Sequence, residues 1–465
     1  MELNQVKHVY LIGIGGIGMS ALARFFKANG KNVSGYDKTP TSLTDELIHE
    51  QIPVHFEDEL NMVPAEFKNS SSKENILIIY TPAIPKDHTC LNWFWKNNYT
   101  VVKRSEVLGM ITKNSFTIAV AGTHGKTTTS SIIAHLLIEG GVDCSAFLGG
   151  ISKNYNTNLI LQKKTDTNSK PVVVVEADEY DRSFLTLEPD IAVVTSMDAD
   201  HLDIYEDKKN LEDSYRAFVA KVKKDGIVIY KTGLDLRVLQ PNHYTYSITS
   251  EADFKAENIS IVNNQYLFDF TYHDKTLPEL SLGLPGRHNV ENAVASLAVA
   301  LQMKVSPEKL SGSLQSYLGV KRRFEFHIRQ PEITFIDDYA HHPEELLMAI
   351  TSIKELFPGK KITGIFQPHL FSRTRDFAEE FAKSLSLLDQ LILLEIYPAR
   401  EKPIAGVDSK IIYDKVSFAS KTLCLKNNLL DELKKKQVEV VVTLGAGDID
   451  QLVEPIKEML LKKYL

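Results

Sequence analysis

Thr117 to Ser130 reads TIAVAGTHGKTTTS, an apolar run followed by a glycine-rich turn and the start of a helical pattern. Ile118–Ala121 has the composition of a buried strand, and Gly122 and Gly125 interrupt it. The apolar spacing after Lys126 predicts a helix. A strand, a glycine loop and a helix in this order predict an α/β fold.

The loop also has the chemistry of a phosphate site. Backbone N–H groups at a helix start point outward, and the helix dipole favours anions. Lys126 is expected to reach the β- and γ-phosphates of a nucleotide, and the Thr127 hydroxyl to ligate Mg²⁺. Val120 occupies the position of the first glycine of the usual pattern, so GTHGKT is a shortened P-loop; the alternative is an ordinary glycine turn. The predicted nucleotide-binding residues are Gly122, Thr123, His124, Gly125, Lys126, Thr127 and Thr128.

Acidic residues follow the next two predicted strands. Four valines within Pro171–Glu176 end in Glu176, which we predict to hold the metal of the nucleotide. His201 follows a strand at Ile191–Thr195 and is predicted to ligate a cation or orient phosphate, the alternative being a structural histidine. Three further acids are each predicted to lie on a solvated turn: Asp178, Glu179 and Asp181.

A second glycine-rich turn lies near the start of the sequence. A strand at Val9–Ile12 precedes GIGGIG at residues 13–18, and a second strand at Asn32–Tyr36 ends beside Asp37. This spacing fits G-x-G-x-x-G followed by a ribose-binding acid, and alone it indicates a dinucleotide site; a packing turn is the alternative. The loop glycines are Gly13, Gly15, Gly16 and Gly18.

The last third of the chain again alternates strands with helices, which predicts a doubly wound parallel sheet. Strands at Ile333–Ile336 and Ile362–Phe366 each end in polar residues. Arginines are suited to binding a carboxylate or a phosphate, although solvated helix starts are the alternative; these are Arg322, Arg323, Arg373 and Arg375. Zinc is disfavoured for three histidines because no Cys or Glu stands at metal-site spacing; they are His341, His342 and His369.

Composition narrows the class of protein. A chain of 465 residues predicts about three domains, and a net charge of -7 argues against nucleic acid as the main partner. Cys90, Cys144 and Cys424 are widely spaced and are expected to be free thiols. We found no signal region and no apolar stretch of membrane-spanning length, so a cytoplasmic location is expected.

The residues together favour a ligase. They predict a nucleoside triphosphate and Mg²⁺ in the middle of the chain, a second nucleotide-like anion at the first loop, and groups that bind a carboxylate in the last third. A simple ATPase needs no flanking domains, and a dehydrogenase needs no P-loop. A nucleotide-gated regulatory protein without turnover is a further alternative.

Seven blocks, in order across nearly the whole chain, make the resemblance specific: GIGGIGMSALA, AGTHGKTTT, EADEYDRSFL, TSMDADHLDIY, GRHNVENA, DDYAHHPEE and FQPHLFSRTRD. The chain resembles the Mur ligases. The resemblance implies a Rossmann-like domain for the UDP end of a sugar substrate over residues 1–112, a central P-loop ATPase-like domain over 113–319, and a C-terminal Rossmann-like domain over 320–465 that binds ATP and an amino acid.

The resemblance also implies a reaction. ATP and Mg²⁺ would drive ligation of L-alanine to the carboxylate of UDP-N-acetylmuramate through an acyl phosphate, in peptidoglycan precursor synthesis. The alternative within the family is a recycling ligase that adds a preformed peptide to the same sugar nucleotide. We expect a monomer or weak homodimer, with no nucleic-acid or membrane partner.

The residues alone indicate an NAD-type dinucleotide site at the loop of residues 13–18. The resemblance implies instead that this loop binds UDP, with Asp37 near the uridine. It implies that Lys126 and Thr127 bind ATP phosphates and Mg²⁺, and that Glu176 and His201 take part in metal binding.

Further along the chain it assigns Asn292 to adenine, Asp338 to the ATP ribose and Arg323 to the nucleotide phosphates. Amino-acid recognition is implied for Tyr339, His341 and Arg373.

The reaction that the resemblance implies needs a general base for the amine of L-alanine, and His201 and His341 are the two candidates. Many relatives carry Arg where this chain has Leu370, and Arg373 and Arg375 could compensate.

Overall fold

The computed structural model describes residues 3–68, 73–163, 170–198, 202–399, 401–418 and 420–464. The chain is divided into two compact units. The first comprises Met1–Glu257, Phe270–Leu277 and Glu291–Leu314, and the second comprises Asn258–Asp269, Pro278–Val290 and Gln315–Leu465. The boundaries predicted at residues 112 and 319 stay predictions.

The first sheet contains β1 (His8–Ile12), β2 (Asn32–Tyr36), β3 (Val54–His55), β4 (Ile76–Tyr80) and β5 (Thr100–Lys103). All its pairings are parallel, in the order β3-β2-β1-β4-β5. Its helices are α1 (Ile17–Ala28), α2 (Ser42–His49), α3 (Ala65–Lys68), α4 (Thr89–Lys96) and α5 (Arg104–Thr112). The predicted strand at Asn32–Tyr36 is confirmed at both ends.

The second sheet contains β6 (Phe116–Ala121), β7 (Cys144–Ser152), β8 (Thr157–Ile160), β9 (Val172–Glu176), β10 (Ile191–Val194), β11 (Ile227–Lys231), β12 (Asn242–Ser247), β13 (Phe254–Val262), β14 (Gln265–Tyr272) and β15 (Lys275–Leu282). Its order is β15-β14-β13-β12-β11-β10-β6-β9-β7-β8. The helices in this part of the chain are α6 (Lys126–Gly140), α7 (Leu202–Tyr205), α8 (Lys208–Ala220), α9 (Arg287–Gln302) and α10 (Pro307–Gln315). The strand β6 pairs in parallel with β9 and β10, so the P-loop leaves the middle of a sheet.

The third sheet contains β16 (Glu325–Arg329), β17 (Thr334–Asp338), β18 (Ile362–Phe366), β19 (Gln390–Leu393), β20 (Lys421–Leu423) and β21 (Val440–Leu444), in the order β16-β17-β21-β18-β19-β20. Among the described residues of this third sheet, only the pairing of β16 with β17 is antiparallel. The helices are α11 (Pro343–Leu356), α12 (Phe371–Asp376), α13 (Ala378–Leu385), α14 (Lys410–Tyr413), α15 (Leu429–Lys434) and α16 (Val453–Tyr464).

The central strands are mostly apolar because both faces of the parallel part of each sheet are covered. Ile118–Ala121 in β6 and Val440–Val442 in β21 have no exposed surface. The α/β fold predicted from the sequence is confirmed, as are the three free cysteines. In the described part of the chain, each helix is too short or too polar to cross a bilayer.

Candidate active site

The P-loop joins β6 to α6 through two glycines with positive φ. Gly122 has φ 140° and Gly125, which caps α6, has φ 83°. A Cβ on Gly122 would lie 2.8 Å from the backbone nitrogen of Ser196 and closer still to the Thr195 hydroxyl. Side chains are therefore excluded at Gly122 both by the backbone conformation and by the neighbouring strand end.

The loop is held by hydrogen bonds to the segment that follows β10. The Thr123 hydroxyl donates to the Asp198 carbonyl at 2.8 Å, and the His124 N–H donates to the Ser196 hydroxyl oxygen at 2.8 Å. Thr127 and Thr128 are buried in the first turn of α6. The loop geometry is thus fixed by tertiary contacts in addition to its own sequence.

The Lys126 ammonium lies inside the loop. Its Nζ donates to the Gly122 carbonyl at 2.7 Å and to Glu179 Oε1 at 2.9 Å. Burial lowers the pKa of Lys126, but the charges of Glu179, Glu176 and Asp178 outweigh that effect and leave the pKa raised. The lysine is therefore a cation among three carboxylates.

The prediction that the acids after β9 lie on a solvated turn was wrong for Glu179, whereas Asp178 and Asp181 are half-buried and form ion pairs. Glu179 is buried against Lys126, and burial raises the pKa of its carboxyl to about 7 although Lys126 opposes the shift. Asp178 Oδ2 accepts from Arg104 Nη2 at 2.9 Å, and Asp181 Oδ2 accepts from Lys103 Nζ at 2.7 Å. Each carboxylate has a basic partner that is distant in sequence.

Glu176 and Asn292, two further predicted site residues, are each held by a hydrogen bond. Glu176 ends β9, and its Oε2 accepts from the Gly149 N–H at 3.1 Å. The Asn292 Oδ1 on α9 accepts from the Thr129 hydroxyl at 3.2 Å, and a Cβ on Gly125 would lie 2.6 Å from it. Asn292 therefore contacts the loop, while its assignment to adenine stays a prediction.

The first glycine loop joins β1 to α1 and also depends on a carboxylate. The Gly15 N–H donates to Asp37 Oδ2 at 2.8 Å, so Asp37 fixes the loop from the end of β2. Gly13 has φ 87°, whereas Gly16 is exposed and a Cβ added there would make only ordinary van der Waals contacts, the nearest at 3.5 Å. A Cβ on Gly18 would overlap the Arg104 guanidinium.

Arg104 links the first glycine loop to the acidic segment that follows β9. It begins α5, contacts Gly18 and pairs with Asp178. A cavity of about 100 Å³ lies here, with a wall that combines apolar side chains, one guanidinium and two carboxylates. Its lining includes Gly18, Leu22, Arg104, Phe147, Glu176 and Asp178.

In the second unit, Asp338 ends β17 in a buried position. Its oxygens accept from the backbone N–H groups of Phe324 at 2.7 Å and Ala340 at 2.8 Å. Burial raises the pKa of Asp338 to about 6, with Arg323 opposing the shift. These bonds orient the loop after β17, and ribose binding by Asp338 stays a prediction.

Two guanidinium groups contact the ring of Tyr339. The carbon Cζ of Arg322 lies 5.2 Å from the ring centroid and that of Arg323 lies 4.9 Å from it. Such cation–π contacts hold both arginines at the carboxyl end of the sheet. Arg322 also donates to the Gly445 carbonyl at 2.7 Å, so it has a structural role.

His341 follows Tyr339 and has a defined orientation. Its Nδ1 lies 3.0 Å from the Tyr339 carbonyl oxygen and 3.1 Å from Glu345 Oε2. Because both neighbours are acceptors, Nδ1 carries the proton, which leaves Nε2 as the basic nitrogen when the ring is neutral.

The arginines on α12 differ in exposure. Arg373 is buried, whereas Arg375 is exposed and pairs with Asp376 at 2.7 Å. Leu370 is buried, with φ 72° and its N–H donating to the Tyr397 carbonyl at 2.9 Å. The residues of the two predicted glycine loops, with Asp37, Glu176 and Asn292, thus belong to the first unit. Arg323, Asp338, Tyr339, His341, Arg373 and Arg375 belong to the second.

His201 lies outside the described residues, so its predicted role in metal binding stays a prediction. No group of three or more His, Cys, Asp or Glu side chains suited to a metal occurs in the parts of the chain that the structure covers. Mg²⁺ in nucleotide sites uses one or two protein ligands together with phosphate oxygens and water. The carboxylates around Lys126 therefore fit a magnesium nucleotide without such a group.

Sequence reasoning missed Glu179 and Arg104. Arg104 stands directly after β5, where polar residues at a strand's carboxyl end point to a site. That signal was readable from the sequence. Nothing in the local pattern marked Glu179 as buried, because its neighbours are acidic and polar.

Three family models match consecutive parts of the chain. The Mur ligase family catalytic domain matches residues 8–116, the Mur ligase middle domain matches 120–300, and the Mur ligase glutamate ligase domain matches 322–453.

Among curated relatives, a UDP-N-acetylmuramate–L-alanine ligase of Parabacteroides distasonis is 52% identical over 466 residues, covering 100% of this chain and 99% of its own length. One of Porphyromonas gingivalis is 50% identical over 460 residues, covering 98% and 99%.

Solved structures agree with these relatives. The UDP-N-acetylmuramate–alanine ligase of Thermotoga maritima matches with a TM-score of 0.80 and 27% identity, covering 98% of this chain and 99% of its own. A murein peptide ligase of Psychrobacter arcticus shares the fold, with a TM-score of 0.72 and 20% identity over 98% of both chains. The chain belongs to the Mur ligase family.

Proposed function

We propose that this chain catalyses the ATP-dependent ligation of L-alanine to the carboxylate of UDP-N-acetylmuramate, in peptidoglycan precursor synthesis. The observation that carries the proposal is the 52% identity to an L-alanine ligase over the whole chain. The alternative, a recycling ligase that adds a preformed peptide, is not favoured, because the murein peptide ligase structure shares only 20% identity.

We assign the predicted domains their ligands in order. Residues 1–112 bind the UDP-sugar, residues 113–319 bind ATP, and residues 320–465 contribute to ATP and amino-acid binding. The glycine loop of residues 13–18 receives the UDP diphosphate on the N-terminus of α1, with Asp37 towards the uridine. In the ATP domain, Lys126 and the loop amides hold the phosphates and Asn292 contacts the adenine.

Phosphoryl transfer needs little covalent chemistry from the protein. Lys126 and the amide groups of the loop neutralise the charge that develops as the γ-phosphoryl group moves to the substrate carboxylate. An acyl phosphate and ADP result. Thr127, Glu176 and His201 would hold Mg²⁺, which supplies further charge neutralisation at the phosphates.

The second step needs an unprotonated amine. We assign His341 as the base, because its Nδ1 proton faces two acceptors and its Nε2 can take a proton. His201 is the other candidate. The α-amine of alanine attacks the acyl carbon, and phosphate leaves as the amide forms.

The remaining assignments in the C-terminal domain concern binding. Tyr339 and Arg373 recognise the amino acid, with Arg375 as a further carboxylate contact. Asp338 binds the ATP ribose, and Arg323 approaches the phosphates. A cytoplasmic location, a monomer or weak homodimer, and action without nucleic acid or membrane stay predictions.

A phosphate-release assay with purified protein tests the proposal. We expect phosphate release with ATP, Mg²⁺, UDP-N-acetylmuramate and L-alanine. We expect none when UDP-N-acetylmuramate or L-alanine is omitted. Glycine and L-serine in place of L-alanine measure the selectivity of the amino-acid site. Release only with a peptide acceptor would contradict the proposal and favour the recycling ligase.

A further inference from the structure

The phosphate-binding lysine is fully engaged by the protein itself. An ammonium group has three N–H donors and no acceptor. The Lys126 Nζ lies 2.7 Å from the Gly122 carbonyl, 3.4 Å from the Thr123 carbonyl, and 2.9 and 2.8 Å from the two oxygens of Glu179. A phosphate oxygen can bind this ammonium only if one of these acceptors gives way.

Of the acceptors, Glu179 is the one that competes with phosphate most directly. The carbonyls of Gly122 and Thr123 belong to the loop itself and are neutral, whereas Glu179 carries the same sign of charge as a phosphate. The pair is enclosed, with 13% of the Lys126 side chain and 2% of the Glu179 side chain exposed. Charges in such a position interact strongly because little water screens them.

The main chain at Glu179 is held by contacts of its own. The Tyr205 hydroxyl donates to the Glu179 carbonyl, and so does the Arg182 N–H at 2.9 Å. Asp181 and Arg182 both have positive φ, at 54° and 55°, which is uncommon for two consecutive residues other than glycine. A strained turn that is held by several contacts is a feature of functional segments.

We propose that Glu179 is a positioning residue for ATP binding, which holds the Lys126 ammonium in the phosphate loop and must release it to the nucleotide phosphates. This inference rests on the proposed function, since it assumes that ATP binds at this loop. Glu179 weakens ATP binding in the resting protein, because a phosphate must displace its carboxylate. It also keeps the buried lysine paired until a nucleotide arrives.

Glu179→Gln tests the inference with little change of shape. We expect the Kd for ATP with Mg²⁺, measured by isothermal titration calorimetry without the other two substrates, to fall about tenfold, the scale of one charge-assisted hydrogen bond. Adenosine has no phosphate to reach Lys126, so its affinity is expected to stay unchanged. In a Lys126→Ala background, Glu179→Gln should no longer affect ATP binding.

Asp181→Asn is the matched control. It removes an acid from the same segment, but Asp181 pairs with Lys103 instead of Lys126. We expect the ATP affinity of this variant to equal that of the wild type. An equal gain in both variants would show a general loss of negative charge and would contradict the specific role of Glu179.

Thermal unfolding and turnover separate this role from a purely structural one. Glu179→Gln is expected to lower the Tm of the ligand-free protein and to enlarge the rise in Tm that ATP produces. The KM for ATP should fall with the Kd while kcat changes less than about threefold. A folded variant whose ATP affinity is unchanged or weaker overturns the inference.

If Glu179→Gln does not fold, Glu179→Asp replaces it, because its shorter side chain reaches the ammonium less well. We then expect a fall in the Kd for ATP of about threefold, and an unchanged Kd overturns the inference. If the proposed ligase function itself is wrong, the result differs from both of these outcomes: the wild type would bind ATP without releasing phosphate.

Discussion

The two glycine loops of the first unit have the same local form and different sources of charge. Each follows the central part of a parallel sheet and ends at a helix N-terminus, at α1 and at α6. The loop of residues 122–127 carries its own cation, Lys126. The loop of residues 13–18 has no charged side chain, and its cation is Arg104, which comes from α5.

The different source of the positive charge explains why the sequence of one loop identifies its ligand and that of the other loop does not. A lysine at a fixed position after glycine identifies a triphosphate site, because the cation and the amides arrive together. A glycine loop without a charge fits any nucleotide diphosphate, and only the surroundings select the ligand. The surroundings here are Asp37, which bonds to the Gly15 N–H, and Arg104, which contacts Gly18.

The largest effect is expected from removing the built-in cation. Lys126→Ala should lower kcat for phosphate release by about a thousandfold or more, because the lysine neutralises charge in the transition state. The same steady-state assay should give an unchanged KM for the UDP-sugar. A variant that keeps more than about a tenth of wild-type kcat would contradict the role of Lys126.

The two loops also differ in how closely their glycines are packed. Gly122→Ala should lower the free energy of unfolding by about 3 kcal/mol, because φ is 140° and the new Cβ meets the backbone of Ser196. Gly16→Ala is the matched control in the other loop, where the nearest atom to a Cβ is at 3.5 Å. We expect its effect to stay within about 0.5 kcal/mol in urea unfolding. Equal effects in the two loops would show that packing does not distinguish them.

The smallest effect is expected where an added methyl group meets a flexible side chain. Gly18→Ala should displace the Arg104 guanidinium and weaken its pair with Asp178, with little loss of stability. We expect the KM for the UDP-sugar to rise about tenfold and the KM for ATP to change little. An unchanged KM for the UDP-sugar would show that Arg104 does not serve the first loop.

The sequence gives good predictions of strands that are covered on both sides. The sequence predicts the strands at Asn32–Tyr36 and Ile362–Phe366 with the correct ends, since charged, polar or turn-forming residues bound each of them. It did not predict β7 and β8, because the glycines Gly149 and Gly150 in β7 and the polar residues around the turn before β8 resemble a loop. Pairing of the start of β7 with β9, and of β8 with β7, makes these segments strands in spite of their weak propensity.

The sequence alone determined the α/β fold, the glycine loop that carries Lys126 and the identity of the family, because each can be recognised from short blocks of neighbouring residues, even though the seven family blocks are spread along the chain. Only the tertiary structure decided which charges meet. Lys126 pairs with Glu179 across 53 positions and Arg104 pairs with Asp178 across 74. Such pairs form because burial makes an unpaired charge costly, and the fold, which a local pattern does not contain, selects the partners.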